Sequence, residues 1–207
     1  RYAYTGGDDL AAPDEGDSPL CESLLASILQ RRSTRRYQRA PCTKHQLARV
    51  LACAYAPERM GLGVQPGLDR GELMTFVAVA AVDGLASGVY YFAPHSCALR
   101  LLRAGLDRAA VQYLCLGQDL GGDAVATVFH TAELPTAVAR QGDRAYRYLH
   151  LDAGILGQRL NLGALAEGLG ASGIGGFFDD HVNRLIGIPD EQAVIYITTI
   201  GVPADAE

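Results

Sequence analysis

The spacing of apolar residues predicts three helices in the first and last thirds of the chain. Residues 22–32 repeat apolar positions at helical spacing, which predicts an amphipathic helix. A second helix is predicted to begin at an N-cap on Thr43 and to end before Pro57. The longest periodic segment, residues 143–170, predicts a central helix that stops near Gly168 and Gly170. The apolar faces of these helices comprise Leu24, Leu25, Ile28 and Leu29; Leu47, Val50, Leu51 and Ala54; and Leu149, Ala153, Leu156, Leu160 and Leu165.

Between these helices the pattern favours strands. Residues 73–84 form an apolar run of strand length, and residues 88–102 read as a β-hairpin with its turn at 93–96. Two further buried strands are predicted over 124–131 and 193–203, with short helices over 104–117 and near 179–189. The order lacks regular βαβ alternation, which favours an α+β fold over a Rossmann fold.

Two stretches show no periodicity. Residues 1–20 are rich in Gly, Asp and Pro and predict a mobile arm or linker, so a single domain is expected over 21–207. Residues 57–71 predict a loop. The first residue is Arg rather than Met, and we expect the chain to be a piece of a longer protein.

Composition narrows the classes of partner. The 207 residues carry a net charge of −5, which gives no basic excess for nucleic acid, and no apolar run reaches the length of a membrane span. The five cysteines and five histidines show no metal-ligand spacing, so no metal site is expected. An odd, scattered set of cysteines is typical of a reducing compartment, and we expect a cytoplasmic protein with buried thiols.

Basic residues cluster where the first predicted helix ends. Arg31, Arg32, Ser33, Arg35 and Arg36 lie within six residues. Several guanidiniums and one hydroxyl suit a phosphate, because they offer charge-assisted hydrogen bonds and a neutral donor. The alternative is a solvated basic helix end, which the negative end of the helix dipole would favour.

A second candidate segment is rich in glycine. Gly175 and Gly176 precede Phe177, and without a Cβ each lets backbone approach a planar ligand closely. A backbone N–H at that place would stabilise negative charge developing on such a ligand. The alternative is an ordinary helix C-cap and turn.

Together these segments resemble the nitroreductase family of flavoproteins. The string LQRRSTRRY is similar to its phosphate-binding segment, and GASGIGGFF is similar to its turn beside the flavin. The resemblance implies FMN as cofactor and a central, mainly antiparallel sheet flanked by helices. It implies that Arg31, Arg32, Ser33 and Arg35 hold the phosphate and ribityl chain. It further implies that Gly175 and Gly176 present backbone N–H groups to the flavin, with Ser172 and Ile174 in the same pattern.

Three features resemble the SagB-type branch, whose members oxidise thiazolines and oxazolines in modified peptides. They are the hairpin GLASGVYYFAPHSCALRLL, the segment GDRAYRYLHLDAG, and Gln158-Arg159-Leu160. The resemblance adds Gln158 to the cofactor-binding residues. Relatives place their flavin sites between subunits, which implies a homodimer or a pseudo-symmetric paired domain.

The chain also departs from that branch. Arg140-Gln141 stands where the branch has a Lys-Tyr pair thought to transfer protons beside the flavin. Arginine stays protonated and glutamine does not titrate, so neither is a general base. The branch's Pro-Ser-Ala-Gly loop is absent, and Ile155 replaces its histidine. The catalytic residues are therefore left unassigned.

The leading hypothesis is an FMN-dependent dehydrogenase that moves hydride between substrate and flavin. The first alternative is an NAD(P)H-dependent nitro or quinone reductase. The second is a flavin-free, non-catalytic scaffold subunit of the same fold. Tyr146 and Tyr148 are predicted to pack in the core, with one lying over the flavin as the alternative. Asp179 and Asp180 are predicted to cap the last helix.

Overall fold

The computed structural model describes residues 8–10, 24–57 and 72–204. The helices are α1 Leu24–Gln30, α2 Lys44–Tyr55, α3 Arg108–Leu114, α4 Asp119–Asp123, α5 Leu134–Gln141, α6 Ala145–Ala166 and α7 Asp179–Ile186. The strands are β1 Asp8–Asp9, β2 Tyr37–Gln38, β3 Cys42–Thr43, β4 Met74–Val79, β5 Val82–Asp83, β6 Gly88–Ala93, β7 Ala98–Ala104, β8 Ala126–Glu133, β9 Gly170–Ile174 and β10 Gln192–Pro203.

Eight of these strands form one sheet. Its order is β1-β7-β6-β4-β8-β10-β2, and β9 pairs with β10 on the side away from β8. Every pairing in this sheet is antiparallel, while β3 and β5 form a separate parallel pair. The predicted α+β class with a mainly antiparallel sheet is confirmed.

The sheet lies between two layers of helices. One face packs against α2 and α6, whose Leu51, Leu156 and Leu160 are fully buried. The other face packs against α3 and α7 through Leu114 and Val182. This arrangement makes α6 the helix that covers β9 and β10, the strands next to the candidate site.

Local signals explain where the helices begin and end. Thr43 caps α2 through a capping box with Gln46, as its predicted N-cap role requires. Gly168 adopts a left-handed conformation (φ 69°) just after α6 and ends it, whereas Gly170 already belongs to β9. Asp179 and Asp180 occupy the first turn of α7 and make no capping bond; the N-cap is Phe178. Their predicted capping role is wrong, although acidic residues there still favour the helix dipole.

Helices α4 and α5 and strand β9 were absent from the sequence prediction, as were the two-residue strands β1, β2 and β3. Strand β9 has the sequence GASGI, which lacks the alternation of apolar residues by which strands are recognised. Helix α5 carries Pro135 in its first turn and is followed by Gly142 at φ 71°, a usual start and stop pair for a helix. The helix was missed because its eight residues include only one buried residue, Ala137, which is too few to show a helical period.

Three residues of the predicted N-terminal arm pair with or pack against the sheet. Asp8 and Asp9 pair with Leu99 and Ala98 of β7, and Leu10 is 1% exposed. Two paired residues are too few to produce a period in the sequence, so the arm gave no strand signal. The rest of the arm (1–7 and 11–20) and most of the predicted loop (58–71) lie outside the described residues. None of the described helices is both long and apolar enough to cross a membrane.

Candidate flavin site

The predicted phosphate-binding arginines follow α1 in an irregular segment, residues 31–36. Arg32 donates through Nη1 to the carbonyl oxygens of Leu29 (2.8 Å) and Arg31 (2.9 Å). It therefore caps the end of its own helix, as the alternative interpretation of a basic helix end expects.

Arg31 and Arg35 differ from Arg32. Within the described part of the chain, neither guanidinium makes a hydrogen bond or an ion pair. Arg35 is exposed, and Arg31 and Ser33 are half-buried. Two neighbouring cations that have no partner in the described ranges, next to a hydroxyl, form a donor set suited to an anion.

The structure joins this basic segment to the glycine segment about 140 residues away. The backbone N–H of Thr34 donates to the carbonyl of Ala171 in β9 at 2.9 Å. The buried hydroxyl of Tyr37 lies 3.0 Å from the Thr199 carbonyl, and Thr199 Oγ1 donates to the Ser172 carbonyl at 3.2 Å. Burial raises the pKa of Tyr37, so its hydroxyl stays protonated.

Gly175 and Gly176 follow β9 and are exposed. A Cβ built on Gly175 meets nothing within 4 Å, and one on Gly176 lies 3.0 Å from a methyl of Leu116. Among the described residues their backbone N–H groups make no hydrogen bond. The predicted turn is thus a strand followed by an open segment, and Ser172 is buried in the strand at 2% exposure.

Gln158 is the remaining predicted cofactor-binding residue. It lies exposed on α6 and makes no hydrogen bond to the other predicted site residues in the described chain. The preceding residue, Gly157, faces Tyr196 and Thr198 of β10. Gln158 thus follows directly after a residue that packs between α6 and β10. Its role as a flavin ligand stays a prediction.

The substituted pair Arg140-Gln141 lies at the end of α5, where both side chains meet Glu72. The Gln141 amide donates to Glu72 Oε2 at 3.0 Å, and Arg140 Nη1 lies 3.6 Å from Glu72 Oε1. The Glu72 side chain is 10% exposed, whereas that of Arg140 is 67% exposed. Glu72 stands in an aperiodic segment, so the sequence offered no sign of this cluster.

Tyr146 and Tyr148 are 54% and 43% exposed, so their predicted packing in the core is wrong. Tyr146 instead contacts His150, with ring centroids 4.3 Å apart and the ring planes tilted by 46°. Helix α6 also exposes the apolar residues Leu151 and Ile155.

The described cysteines are buried, as predicted, and none of them forms a disulfide with another described cysteine: Cys42, Cys53, Cys97 and Cys115. Burial raises the pKa of Cys115 to about 12. His130 is fully buried beside the hydroxyl of Tyr55 at 2.8 Å, and burial lowers its pKa to about 4. No group of His, Cys, Asp or Glu in the described ranges could hold a metal ion.

Comparison with known proteins identifies the family. The model of the nitroreductase family matches residues 28–202, which is most of the chain. The chain belongs to the nitroreductase family. It is 28% identical over 167 residues to a Methanocaldococcus jannaschii protein whose name assigns it to the nitroreductases, covering 79% of this chain and 83% of that protein.

Solved structures share the fold of this chain. A crystal structure from Anabaena variabilis, assigned as a nitroreductase, is 49% identical with a TM-score of 0.84. That match covers 86% of this chain, yet this chain spans only 38% of the Anabaena chain. A structure of the E. coli microcin synthetase McbBCD complex with truncated pro-MccB17 bound shares the fold at a TM-score of 0.68 and 18% identity, over 86% of this chain and 73% of that one.

Nitroreductases typically bind FMN, and the residues present fit that group. The guanidiniums of Arg31 and Arg35, which have no partner in the part of the chain that the structure describes, suit its phosphate. The open N–H groups of Gly175 and Gly176 suit the electron-accepting edge of its ring. Ala171, which holds the basic segment, and Gly175 are four residues apart on an extended strand, or about 13 Å. An elongated ligand with an anionic end and a planar end matches that spacing.

Proposed function

We propose that the chain is an FMN-dependent oxidoreductase of the SagB type, which oxidises azoline rings in modified peptides. The observation that carries the cofactor assignment is the bond from Thr34 to Ala171. It ties the segment that carries Arg31 and Arg35 to β9, the strand that the open glycine pair follows.

In this proposal each segment has a separate task. Arg31 and Arg35 bind the phosphate through charge-assisted hydrogen bonds, and Ser33 adds a neutral donor. Arg32 supports the segment by capping α1. Gly175 and Gly176 donate backbone N–H groups to the electron-accepting edge, where they stabilise negative charge. Bound FMN would supply the hydride-accepting chemistry.

The azoline substrate is supported by the hairpin at 84–102, the GDRAYRYLHLDAG segment and Gln158. Each azoline ring would lose one hydride to the flavin and one proton to a base, and become an azole. Arg140 and Gln141 do not supply that base, because neither titrates in the required range and both are engaged by Glu72. The same observation favours a second candidate, a non-catalytic subunit that keeps the fold.

A second unit of the same fold is the proposed partner, either another copy or a paired domain. Helix α6 carries exposed Tyr148, Leu151 and Ile155 at spacings that share one face, and α1 beside it exposes Ile28 and Leu29. Contiguous exposed apolar surface usually marks an interface. The Anabaena chain, of which this chain spans 38%, is long enough to contain a second unit of this size.

A reducing, cytoplasmic location is part of the proposal. It is supported by the four described cysteines, which are buried and form no disulfide with one another.

Reduction of the bound flavin separates the candidate functions. Purified full protein is loaded with FMN, made anaerobic, and mixed with a thiazoline peptide or with NADPH while absorbance near 450 nm is followed. We expect the peptide to bleach the flavin and to gain a thiazole ring, seen as a mass loss of two hydrogens. Bleaching by NADPH alone would instead assign a reductase, and bleaching by neither would assign a scaffold.

A further inference from the structure

Tyr196 lies on β10 and was not among the predicted site residues. It is half-buried and packs against the core beneath α6. The pairing of β10 with β8 changes register between Val194 and Tyr196. A β-bulge of this kind turns the following side chain away from its regular direction, and bulges are frequent beside functional sites.

Two glycines make room for the Tyr196 ring. A Cβ on Gly157 of α6 would lie 2.7 Å from Tyr196 Cε1, and a Cβ on Gly173 of β9 would overlap the Tyr196 hydroxyl. Any side chain on either wall would exclude the ring from this slot. The tyrosine is therefore held between the central helix and the strand that joins the two candidate ligand segments.

The Tyr196 hydroxyl lies against Gly173, in the middle part of β9. Gly173 follows Ala171, which holds the basic segment, by two residues and precedes Gly175 by two residues. About 7 Å of extended chain therefore separates Gly173 from each of these two residues.

The hydroxyl has no hydrogen-bond partner among the described residues. Burial raises its pKa, so the phenol stays protonated and remains a donor at neutral pH. A partly buried polar group normally has a partner, and an acceptor on a bound ligand would supply one here.

We propose that the Tyr196 hydroxyl hydrogen-bonds the polyhydroxyl (ribityl) chain of the flavin, between the phosphate at Arg31 and Arg35 and the ring edge at Gly175. The inference rests on the proposed function, since it requires a flavin on β9. Among the parts of that ligand, the ribityl chain is the one that lies between an anionic end and a planar end.

Three flavins test this placement in the full protein. FMN carries phosphate, ribityl chain and ring; riboflavin lacks the phosphate; lumiflavin lacks both phosphate and chain. Affinities of the wild type and Tyr196→Phe are measured by titration with each flavin. We expect the variant to bind FMN and riboflavin about 3- to 10-fold more weakly, the contribution of one hydrogen bond, and lumiflavin equally well.

The phenylalanine keeps the ring in its slot, so the ligand-free variant should melt at the wild-type temperature. Tyr113→Phe is the matched control, because Tyr113 is an exposed tyrosine that stacks on Phe178 at 5.0 Å, and it should bind all three flavins like the wild type.

Each other outcome is distinct. Equal FMN affinity in the wild type and Tyr196→Phe would overturn the inference. A loss confined to FMN would move the contact to the phosphate, and an equal loss for lumiflavin would move it to the ring; both overturn it. Wild-type protein that binds no flavin would instead contradict the proposed function.

Discussion

Arginines near the two ends of the sheet have different surroundings. Where β9 begins, Arg31 and Arg35 have no partner among the described residues. Where β8 ends, Arg140 and its neighbour Gln141 share the carboxylate of Glu72. In the described structure no carboxylate faces the arginines at the first end, whereas the carboxylate of Glu72 faces Arg140 at the second end.

This difference separates cofactor binding from chemistry. Cations that have no partner among the described residues, tied to the strand that leads to an open glycine segment, are the features that a phosphate-bearing ligand needs. Arg140 and Gln141, which stand at the position of the branch's proton-transfer pair, both contact Glu72 instead. Proton transfer at this end of the sheet therefore requires a different group. We therefore expect variants at the first end to affect FMN affinity, and variants at the second end to leave it unchanged.

The largest expected effect is at the first end. Arg31→Ala combined with Arg35→Ala removes two charge-assisted hydrogen bonds, which we expect to weaken FMN binding at least about 100-fold, or about 3 kcal/mol. Titration with FMN measures this. Arg32→Ala is the matched control: its guanidinium is engaged by Leu29 and Arg31, so we expect a much smaller loss. Equal losses in both proteins would show that position within the segment does not matter.

Between the two ends, the buried His130 links stability to pH. Its pKa is about 4 in the folded chain and about 6.5 when unfolded, so the unfolded state takes up the proton first. Its contribution is fully present above pH 6.5 and is lost as pH falls from 6.5 towards 4, by at most about 3 kcal/mol. Urea unfolding at pH 7, 6 and 5 measures it.

His130→Gln should flatten that dependence, because glutamine does not titrate yet can bond the Tyr55 hydroxyl. An unchanged slope in the variant would assign the pH dependence to other groups. If FMN is released at a higher pH than the one at which the protein unfolds, the group whose protonation causes the release lies at the FMN site and is not the buried His130.

The smallest expected effect is at the second end. Glu72→Gln removes the partner of Arg140, and we expect a stability loss below about 1 kcal/mol because the Arg140 side chain is 67% exposed and screened by solvent. FMN affinity should stay within about twofold of wild type. A large loss of FMN affinity in Glu72→Gln would mean that both ends of the sheet contribute to one cofactor site, which would contradict the contrast between them.

Much of the fold was readable because its long elements are periodic. The apolar face of α6 and the run that forms β4 each gave a clear pattern, and the motif around Arg31 to Arg35 gave the anion hypothesis. Strand β9 was missed because glycine and serine replace the alternating apolar residues. Tyr196 and Glu72 were missed for another reason: each depends on contacts between distant segments, which no local pattern records.

The most direct test of the account is FMN binding by the purified full protein. We predict that protein mixed with FMN and passed through a desalting column emerges yellow, with absorbance near about 450 nm and one flavin per chain. Protein that emerges colourless at every FMN concentration, while melting cooperatively as a folded domain, would contradict the central claim that this chain keeps a flavin site.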